Sequence, residues 1–390
     1  MTRVVVFGCG PRGARIAEAY AMHPESSVAA VYDTDHARRD EMADAFGCEA
    51  LPNLDWERIS ELDRPLIGVI ATRTALHAPL TLLALHYGST IFDGLVVEKP
   101  LASTPAQLSA IRIASHRYNI PVFTQHQGVC TPPFATAKRL LADGIIGDYQ
   151  HTVVSGKGYS AGYDIINLGT HLLVAAQQFS HTKPVRVEAN FRQRDGNLTR
   201  VHDIRYGPYD FGLMAGDHIE GRVTGLPIHL DFKQLDAPTA DNVRVDLYGD
   251  QGILRLYWRQ GLHWRRSEKD PWEPQPLDDP KLFDYDYAQY PAGDLWHADA
   301  TLRSVTSRAR HPADLDKESA ALHIIWSAAQ SHFEHSNELT EVLWDADAFD
   351  LHPLAAASRR AHYQPDRLDG ALRYSEWATH RPWASWTART

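Results

Sequence analysis

The chain has 390 residues, of which 44% are hydrophobic and 23% are charged. This length exceeds one ordinary domain, and it supplies enough apolar surface for two domains without covalent staples. The net charge of -10 at pH 7 argues against a nucleic-acid partner, because such a surface needs clustered Lys and Arg to neutralise phosphates. The three cysteines, Cys9, Cys48 and Cys130, have no paired spacing, which favours a reduced, cytoplasmic setting.

No membrane or metal partner is expected. No apolar run approaches the ~20 residues that span a bilayer. The short run after Met1 indicates a first buried strand rather than a signal segment, because it leads at once into a glycine loop. The spacing of Cys and His contains no zinc pattern.

Strand and helix signals alternate over residues 1–125. Strands are predicted at 4–7, 27–32, 66–71, 95–98 and 121–124. Helices are predicted at 13–22, 36–46, 77–87 and 104–118. Repeated strand–helix units predict an α/β domain with a parallel, doubly wound sheet of the Rossmann type.

The pattern changes after residue 125, so a second domain is predicted at 126–350. Helices are expected at 133–143, 164–179 and 315–334. Period-2 segments at 185–192, 218–224, 228–233, 243–248 and 253–257 predict a mostly antiparallel sheet in an α+β domain. Residues 260–295 are interpreted as a long excursion, and 351–390 as a C-terminal extension.

A glycine-rich sequence of the form G-x-G-x-x-G follows the first predicted strand and opens the first helix. The glycines are Gly8, Gly10 and Gly13, with Pro11 and Arg12 between the last two. In this context they serve a tight turn, a close approach to pyrophosphate and close helix–strand packing. The helix N-terminus then offers free N–H groups to the phosphates.

An acid at the end of the second predicted strand indicates which dinucleotide binds. Asp33 lies twenty residues after Gly13, where a carboxylate accepts hydrogen bonds from the adenosine ribose. Because it would repel a 2′-phosphate, NAD is favoured. Arg38 and Arg39 lie close enough in sequence to keep NADP possible.

The fourth predicted strand ends in the turn Glu98-Lys99-Pro100. In an open α/β sheet, ligands bind beyond the carboxyl ends of the strands, so Lys99 is expected to face the cofactor crevice. Pro100 restricts Lys99 to extended geometry, and an X-Pro bond can be cis at a tight turn. Glu98 is placed to position the ammonium group.

With these motifs the sequence resembles the Gfo/Idh/MocA oxidoreductase family, which includes glucose–fructose oxidoreductase and inositol dehydrogenase. The resemblance covers roughly residues 3–335 and is carried by the segments 4–13, 31–33, 70–73 with His77, 98–101, 140–147, 167–171 and 248–252. It implies a Rossmann domain followed by a domain with a large open sheet, and a homodimer or homotetramer. The expected cofactor contacts are Gly8, Gly10, Pro11, Arg12, Gly13, Asp33, Thr34, Ala71, Thr72, Arg73, His77, Glu98, Lys99, Pro100 and Gln127.

A helix of the second domain carries a further set of candidate catalytic residues. Asp164, Asn167 and His171 are spaced to share one helix face, where an acid, an amide and an imidazole suit a polyhydroxylated substrate. The resemblance aligns His171 with a histidine that relays the proton. Many relatives have aspartate where Asn167 stands, and an amide is not a base. Either Lys99 and His171 therefore suffice, or Asp164 takes part.

A second departure follows the fifth predicted strand. The family's usual Asn-x-Arg-Phe segment is replaced here by residues 125–129, which begin Gln125-His126-Gln127. The missing arginine alters the usual substrate contacts. Gln127 is expected to replace the asparagine near the nicotinamide.

Together these features predict an NAD(P)-dependent oxidoreductase that acts on a hydroxyl or keto carbon of a sugar, cyclitol or glycoside. Lys99 and His171 are the expected proton-transfer groups. Two other enzyme hypotheses remain open, namely redox-neutral cleavage of a glycoside and reduction of a ketosugar or imine. A non-catalytic NAD-sensing regulator is disfavoured by the presence of both Lys99 and His171.

Overall fold

The computed structural model describes residues 1–88, 90–102, 105–157, 165–180, 186–193, 196–197, 220–225, 228–233, 243–258, 260–286, 293–334 and 340–341. Asp164 and the predicted extension at 351–390 lie outside these residues. Within the part of the chain that is described, no helix is long and apolar enough to cross a membrane.

The first domain alternates strands and helices as predicted. Its strands are β1 (Thr2–Phe7), β2 (Ser26–Tyr32), β3 (Glu49–Ala50), β4 (Leu66–Ile70), β5 (Gly94–Val97) and β6 (Val122–Thr124). Its helices are α1 (Pro11–Met22), α2 (His36–Phe46), α3 (Trp56–Ser60), α4 (His77–Tyr87) and α5 (Pro105–Tyr118). Local chemistry sets these limits: Asp35 caps α2 by accepting from Arg38 N, and Gly47 ends it in the left-handed region.

All six strands run parallel in the order β3-β2-β1-β4-β5-β6. This is the order of a dinucleotide-binding sheet, and it confirms the predicted Rossmann fold. The order reverses between β1 and β4, so a ligand crevice is expected beyond their carboxyl ends. Sequence analysis missed β3 and α3, because two paired residues and a five-residue helix are too short to show periodicity.

The second domain is built on one large sheet with helices packed against it. Its first two helices are α6 (Pro132–Ala142) and α7 (Ile165–Ala176). Its strands are β7 (Tyr149–Lys157), β8 (Arg186–Gln193), β9 (Gly196–Asn197), β10 (Glu220–Gly225), β11 (Ile228–Lys233), β12 (Val243–Gly249), β13 (Ile253–Tyr257), β14 (Gly261–Arg265), β15 (Glu273–Gln275) and, at the far end, β18 (Thr340–Glu341); a separate hairpin contains β16 (Lys281–Leu282) and β17 (Tyr285–Asp286).

The sheet is mostly antiparallel, as predicted, in the order β15-β14-β13-β12-β7-β11-β10-β8-β18. Its one parallel pairing among the described strands joins β7 to β11. Two expectations need correction. The central strand β7 was missed, and residues 260–295 are not simply an excursion, because β14 and β15 extend the sheet from β13.

Two late helices connect the second domain to the first. They are α8 (Asp294–Ser307), which sequence analysis missed, and α9 (Leu315–Glu334), predicted with the same limits. Ala298 and Leu302 of α8 are buried in the same hydrophobic cluster as Ala14 and Ala17 of α1. The chain therefore leaves the nucleotide-binding domain, forms the large sheet, and returns to pack on α1.

Candidate active site

The glycine loop lies against the segment that follows β4. Gly8 has φ +107, and a Cβ atom there would lie 2.5 Å from the Ala71 carbonyl oxygen. At Gly13 a Cβ atom would lie 1.8 Å from the Gly8 carbonyl oxygen. Both positions therefore require glycine for packing within the protein. Gly10 differs, because a Cβ atom built there meets nothing within 4 Å.

The open space beside Gly10 lies at the N-terminus of α1. Gly10 is the N-cap of this helix, Pro11 is its first residue, and no side chain caps it. The N–H groups of a first helical turn have no partner inside the helix, and the helix dipole makes this end attractive to anions. These features could hold the pyrophosphate of a dinucleotide, and that role stays a prediction.

Asp33 lies beside the same loop, at the end of β2. Its Oδ2 accepts from Cys9 N at 2.6 Å and its Oδ1 from Asp35 N at 2.8 Å. These two backbone donors hold the carboxylate at the carboxyl edge of the sheet. Arg38 is exposed and pairs with Asp35 (Nε–Oδ2, 3.2 Å).

Arg12 anchors the loop through two carboxylates. Its Nε donates to Glu98 Oε1 at 2.8 Å, and its Nη2 and Nη1 donate to Asp294 Oδ1 and Oδ2 at 3.0 and 3.3 Å. Gln125 Nε2 donates to the same Asp294 Oδ1 at 3.0 Å. Burial alone would raise the pKa of Glu98, but the charges of Arg12 and Lys99 outweigh this effect and lower it. Sequence analysis had assigned Arg12 to the cofactor; the structure shows its guanidinium bound to protein carboxylates.

The Lys99–Pro100 peptide bond is cis, and Lys99 is half-buried. The turn is tied to the segment after β4 by His77, whose Nδ1 and Nε2 lie 2.9 Å from the Pro100 carbonyl oxygen and 3.0 Å from the Thr72 carbonyl oxygen. Burial lowers the pKa of His77, so the ring stays neutral at pH 7 and donates to one of these oxygens at a time. His77 therefore fixes the loops around the expected cofactor crevice.

A buried chain of hydrogen bonds leads from this turn to His171 on α7. Leu101 N donates to Glu318 Oε1 at 3.2 Å, and Glu318 Oε2 lies 2.6 Å from His126 Nε2. His126 Nδ1 lies 3.1 Å from His171 Nδ1. Both imidazoles and Glu318 are buried. The predicted lysine turn and the predicted histidine are thus joined through residues that sequence analysis did not assign to the site.

Gln127 and Trp258 border the same region. The buried Gln127 Oε1 has no hydrogen-bond partner among the described residues, and such an atom usually has one. The ring of Trp258 lies 5.5 Å from that of His171, edge to face. A Cβ atom on Gly128 would lie 2.4 Å from the Trp258 ring. Glycine at this position therefore allows the indole to lie close to the backbone. A buried amide oxygen without a partner among the described residues is suited to a polar ligand.

A second histidine cluster lies behind β6. The potential ligand atoms of Cys130, His297 and His311 lie within 4.8 Å of one another. However, His297 Nε2 lies 3.0 Å from the Thr124 carbonyl oxygen, and His311 Nε2 lies 3.2 Å from Thr301 Oγ1. Burial lowers the pKa of His297 to about 4. These neutral rings are already hydrogen-bonded by the protein, and the absence of a metal stays a prediction.

The predicted site residues fall into three groups. The glycine loop, Asp33, Ala71, Thr72 and the Lys99 turn meet at the carboxyl edge of the parallel sheet. Thr34 and Arg73 are exposed near that edge. Asn167 lies on α7 one turn before His171, and Asp164 lies outside the described residues.

Sequence reasoning missed Asp294 and Glu318, which are 282 and 192 positions from Arg12 and His126. Nothing local in the sequence indicates such partners. The one available signal was the unusual Gln125-His126-Gln127 segment, since both Gln125 and His126 bind these acids.

Comparison with known proteins agrees with this geometry. Residues 2–126 match the model of the Gfo/Idh/MocA family, described as an oxidoreductase family with an NAD-binding Rossmann fold. Over these residues the chain is similar to that family. The match agrees with the predicted family, with its oxidoreductase class and with an NAD-binding Rossmann fold over residues 2–126.

One curated relative, the dTDP-3,4-didehydro-2,6-dideoxy-alpha-D-glucose 3-reductase of Streptomyces antibioticus, is 30% identical over 140 residues. This match covers 35% of the chain and only 40% of the relative.

Solved structures resemble the chain over most of its length. An NAD-binding oxidoreductase from Klebsiella pneumoniae superposes with a TM-score of 0.70 at 17% identity, covering 88% of this chain and 100% of the other. The WlbA dehydrogenase from Chromobacterium violaceum, solved in complex with NADH and UDP-GlcNAcA, gives a TM-score of 0.63 at 14% identity, covering 88% and 96%. At such identities the likeness concerns the fold.

Proposed function

We propose that the chain is an NAD-dependent oxidoreductase acting on a hydroxyl-bearing or keto carbon of a sugar, cyclitol or glycoside. The observation that carries the proposal is the buried hydrogen-bond path from the Lys99 turn to His171. It joins a turn at the carboxyl edge of the nucleotide-binding sheet to an imidazole of the second domain. A substrate that lies between the two domains would meet both groups.

The chain's own residues fit the dinucleotide. Gly10 and the uncapped start of α1 would hold the pyrophosphate, and Asp33 would accept from the adenosine ribose. Thr34, Ala71, Thr72 and Arg73 would line the crevice. The orphan Oε1 of Gln127 would bind the nicotinamide end or the substrate. When bound, NAD supplies the acceptor for a hydride.

Lys99 and His171 would divide the proton chemistry. The Lys99 ammonium would donate a hydrogen bond to the reacting oxygen, while His171 exchanges the hydroxyl proton. A positioned acid or base of this kind contributes ~10²- to 10⁴-fold to the rate. Asn167, one turn before His171, would hydrogen-bond a substrate hydroxyl, since an amide holds a proton but does not remove one. A role for Asp164 as a further acid stays a prediction.

Reduction of a ketosugar is the second candidate function. The curated relative named above is a reductase of a keto-bearing nucleotide sugar, and its matched segment contains about a third of this chain. In that direction Lys99 and His171 would deliver a proton to the carbonyl oxygen rather than remove it.

The test is a pair of assays with purified protein. NADH formation is followed with NAD and a panel of cyclitols, free sugars, glycosides and nucleotide sugars, and NADH consumption with matching keto compounds. Lysine-dependent turnover of one class, absent in Lys99→Ala, supports the proposal and gives the direction. No turnover in either assay, with NAD binding intact, overturns it in favour of redox-neutral cleavage or NAD sensing. Light scattering tests the predicted homodimer or homotetramer.

A further inference from the structure

We propose that Asp294 of α8 is a positioning residue for the Lys99 turn, which it holds through the guanidinium of Arg12. The inference deepens the proposed function, because it rests on Lys99 as the group that contacts the reacting oxygen. Helix α8 follows the strands β7 to β15 of the large sheet in the chain. The placement of Lys99 would therefore depend on a residue outside the nucleotide-binding domain.

Asp294 sets the direction in which Arg12 points. Its Oδ1 and Oδ2 accept from Nη2 and Nη1 of Arg12 at 3.0 and 3.3 Å. A guanidinium group is planar and has its N–H donors in a fixed fork, so holding both Nη atoms also sets the direction of the Nε–H bond. This bond is aimed at Glu98 Oε1, with an Nε–Oε1 distance of 2.8 Å. Asp294 therefore aims Arg12 at the residue that precedes Lys99.

Glu98 interacts with two cations at once. The side chains of Asp294, Glu98 and Arg12 are 1%, 7% and 23% exposed, so water screens these charges weakly. Burial alone would raise the pKa of Glu98, but the charges of Arg12 and Lys99 lower it, and the group is a carboxylate at pH 7. While Asp294 is present, Arg12 divides its donors between two carboxylates. Without Asp294, Arg12 would keep only Glu98 of these two partners and would draw its carboxylate away from Lys99.

The same Asp294 carboxylate also holds the segment that follows β6. Gln125 Nε2 donates to Asp294 Oδ1 at 3.0 Å. At the start of the helix, a Cβ atom on Gly293 would lie 2.9 Å from the Gln127 carbonyl oxygen. The start of α8 therefore lies along residues 125–127, and Asp294 fixes this segment relative to the Lys99 turn.

The main chain of the site is fixed by bonds that do not involve Asp294. Gly8 N donates to the Tyr32 carbonyl oxygen at 2.8 Å, and Glu98 N donates to the Ile70 carbonyl oxygen at 2.8 Å. The glycine loop and the lysine turn should therefore keep their backbone when Asp294 is replaced. The expected loss is one of side-chain placement, so it should appear in turnover more than in NAD binding.

Asp299→Asn is the matched control for Asp294→Asn, because both remove one carboxylate through which α8 binds α1. Asp294 binds Arg12 in the first turn of α1, whereas Asp299 Oδ1 lies 3.4 Å from Nε2 of His23, the residue that ends this helix. Asp294→Asn is expected to lower kcat by ~10- to 10²-fold, the loss caused by a misplacement of about 1 Å, with little change in the Kd for NAD. Asp299→Asn should leave kcat near the wild-type value, even where urea denaturation shows a similar loss of stability.

Arg12→Lys tests the geometry of the fork. An ammonium group keeps the positive charge but cannot donate in one plane to both carboxylates. This variant is expected to lower kcat by a factor similar to that of Asp294→Asn. Since the two residues act along one path to Lys99, the double variant should be no slower than the slower single variant.

A second readout does not require turnover. Protein labelled with ¹³C at lysine reports the surroundings of Lys99 through its Cε signal, which Lys99→Ala assigns. Asp294→Asn and Arg12→Lys are both expected to shift this signal in the NAD-free protein. Asp299→Asn should leave it unchanged, because the contacts of Asp299 lie at the other end of α1.

Equal losses of kcat in Asp294→Asn and Asp299→Asn would show that α8 only stabilises the fold, and would overturn the proposal. An unchanged Lys99 signal in Asp294→Asn, or kinetic losses that add in the double variant, would also overturn it, even in an active enzyme. If Asp294→Asn does not fold, Arg12→Lys decides the matter, and wild-type turnover in that variant counts against the proposal. A shifted Lys99 signal in a protein that turns over no compound supports positioning by Asp294 while refuting the proposed function, so the two failures are distinguishable.

Discussion

Arg12 of the glycine loop binds Asp294 of α8 across 282 positions of sequence, with its guanidinium donating to both carboxylate oxygens. The same guanidinium binds Glu98, next to Lys99. One side chain therefore joins the glycine loop, the lysine turn and α8. Burial alone would lower the pKa of Arg12, but the charges of Asp294 and Glu98 raise it instead, so the guanidinium is a permanent cation.

We expect Asp294→Asn to destabilise the protein, because it leaves the cation with one carboxylate and weakens a nearly buried pair. Loss of a hydrogen bond to a charged group costs about 1.5–3 kcal/mol, and urea denaturation measures this. In a double-mutant cycle with Arg12→Met, the coupling energy should lie at ~1–3 kcal/mol. A coupling near zero would contradict a direct contact.

The glycine loop allows a matched pair of substitutions. Gly10→Ala should leave the free energy of unfolding nearly unchanged, since Gly10 has φ -72 and open space around its Cβ position. It should raise the Kd for NAD about tenfold or more by blocking the pyrophosphate. Gly13→Ala should destabilise the fold by ~3 kcal/mol, because its methyl group would overlap the Gly8 backbone. Titration calorimetry measures the Kd for NAD, and scanning calorimetry measures the stability of each variant. If Gly10→Ala destabilised the fold as much as Gly13→Ala, Gly10 would be needed for packing rather than for NAD binding.

Asp33→Asn should weaken the preference for NAD over NADP. The carboxylate is held by two backbone N–H groups, and the amide would keep one acceptor oxygen while losing the charge that repels a 2′-phosphate. We expect the ratio of kcat/KM values for NAD and NADP to fall about tenfold, which is ~1.4 kcal/mol. Adding Arg38→Gln to Asp33→Asn should reverse part of any gain in kcat/KM for NADP. If Asp33→Asn left the ratio of kcat/KM values unchanged, Asp33 would not contribute to cofactor selection.

Lys99→Ala should lower kcat far more than it weakens NAD binding. Under the proposed function the ammonium group acts on the reacting oxygen, so we expect kcat to fall by ~10²- to 10⁴-fold and the Kd for NAD to change only a few-fold. Single-turnover kinetics and calorimetry measure the two quantities. Near-normal turnover would remove Lys99 from the mechanism.

Acid should destabilise the folded protein through its buried neutral histidines. Burial lowers the pKa of His297 from 6.5 to about 4, so its stabilisation is complete above the unfolded value and is lost as the pH falls towards 4. Between pH 6.5 and 5 this amounts to ~2 kcal/mol. Burial also lowers the pKa of His311, which acts in the same direction.

Urea denaturation at pH 7 and pH 5 checks this expectation. His297→Gln should show a smaller difference between the two pH values than wild type does, whereas the exposed His36→Gln should behave like wild type. An equal loss of stability in all three proteins would place the acid sensitivity elsewhere.

Local signals explain which parts of the fold could be predicted. The helix at 36–46 was predictable from an Asp cap and a following glycine, and Asp33 from its distance to Gly13. By contrast, β7 has only two aliphatic residues, Val153 and Val154, and because they are adjacent they show no alternation. Asp294 and Glu318 reach the site because the chain folds back from the second domain onto the first. The hydrophobic pattern of their own helices does not indicate this. The family match covers only residues 2–126, where those local signals were also strongest.

Because α8 packs on α1, the nucleotide-binding domain is completed only after most strands of the large sheet have been made. During synthesis at about 5–20 residues per second, roughly 10 to 35 seconds separate the emergence of β6 from that of α8. Throughout that interval the part of α1 that contacts α8 is uncovered, and Arg12 has Glu98 as a partner but not Asp294. The order of translation thus leaves the glycine loop as one of the last parts of the described chain to reach its final contacts.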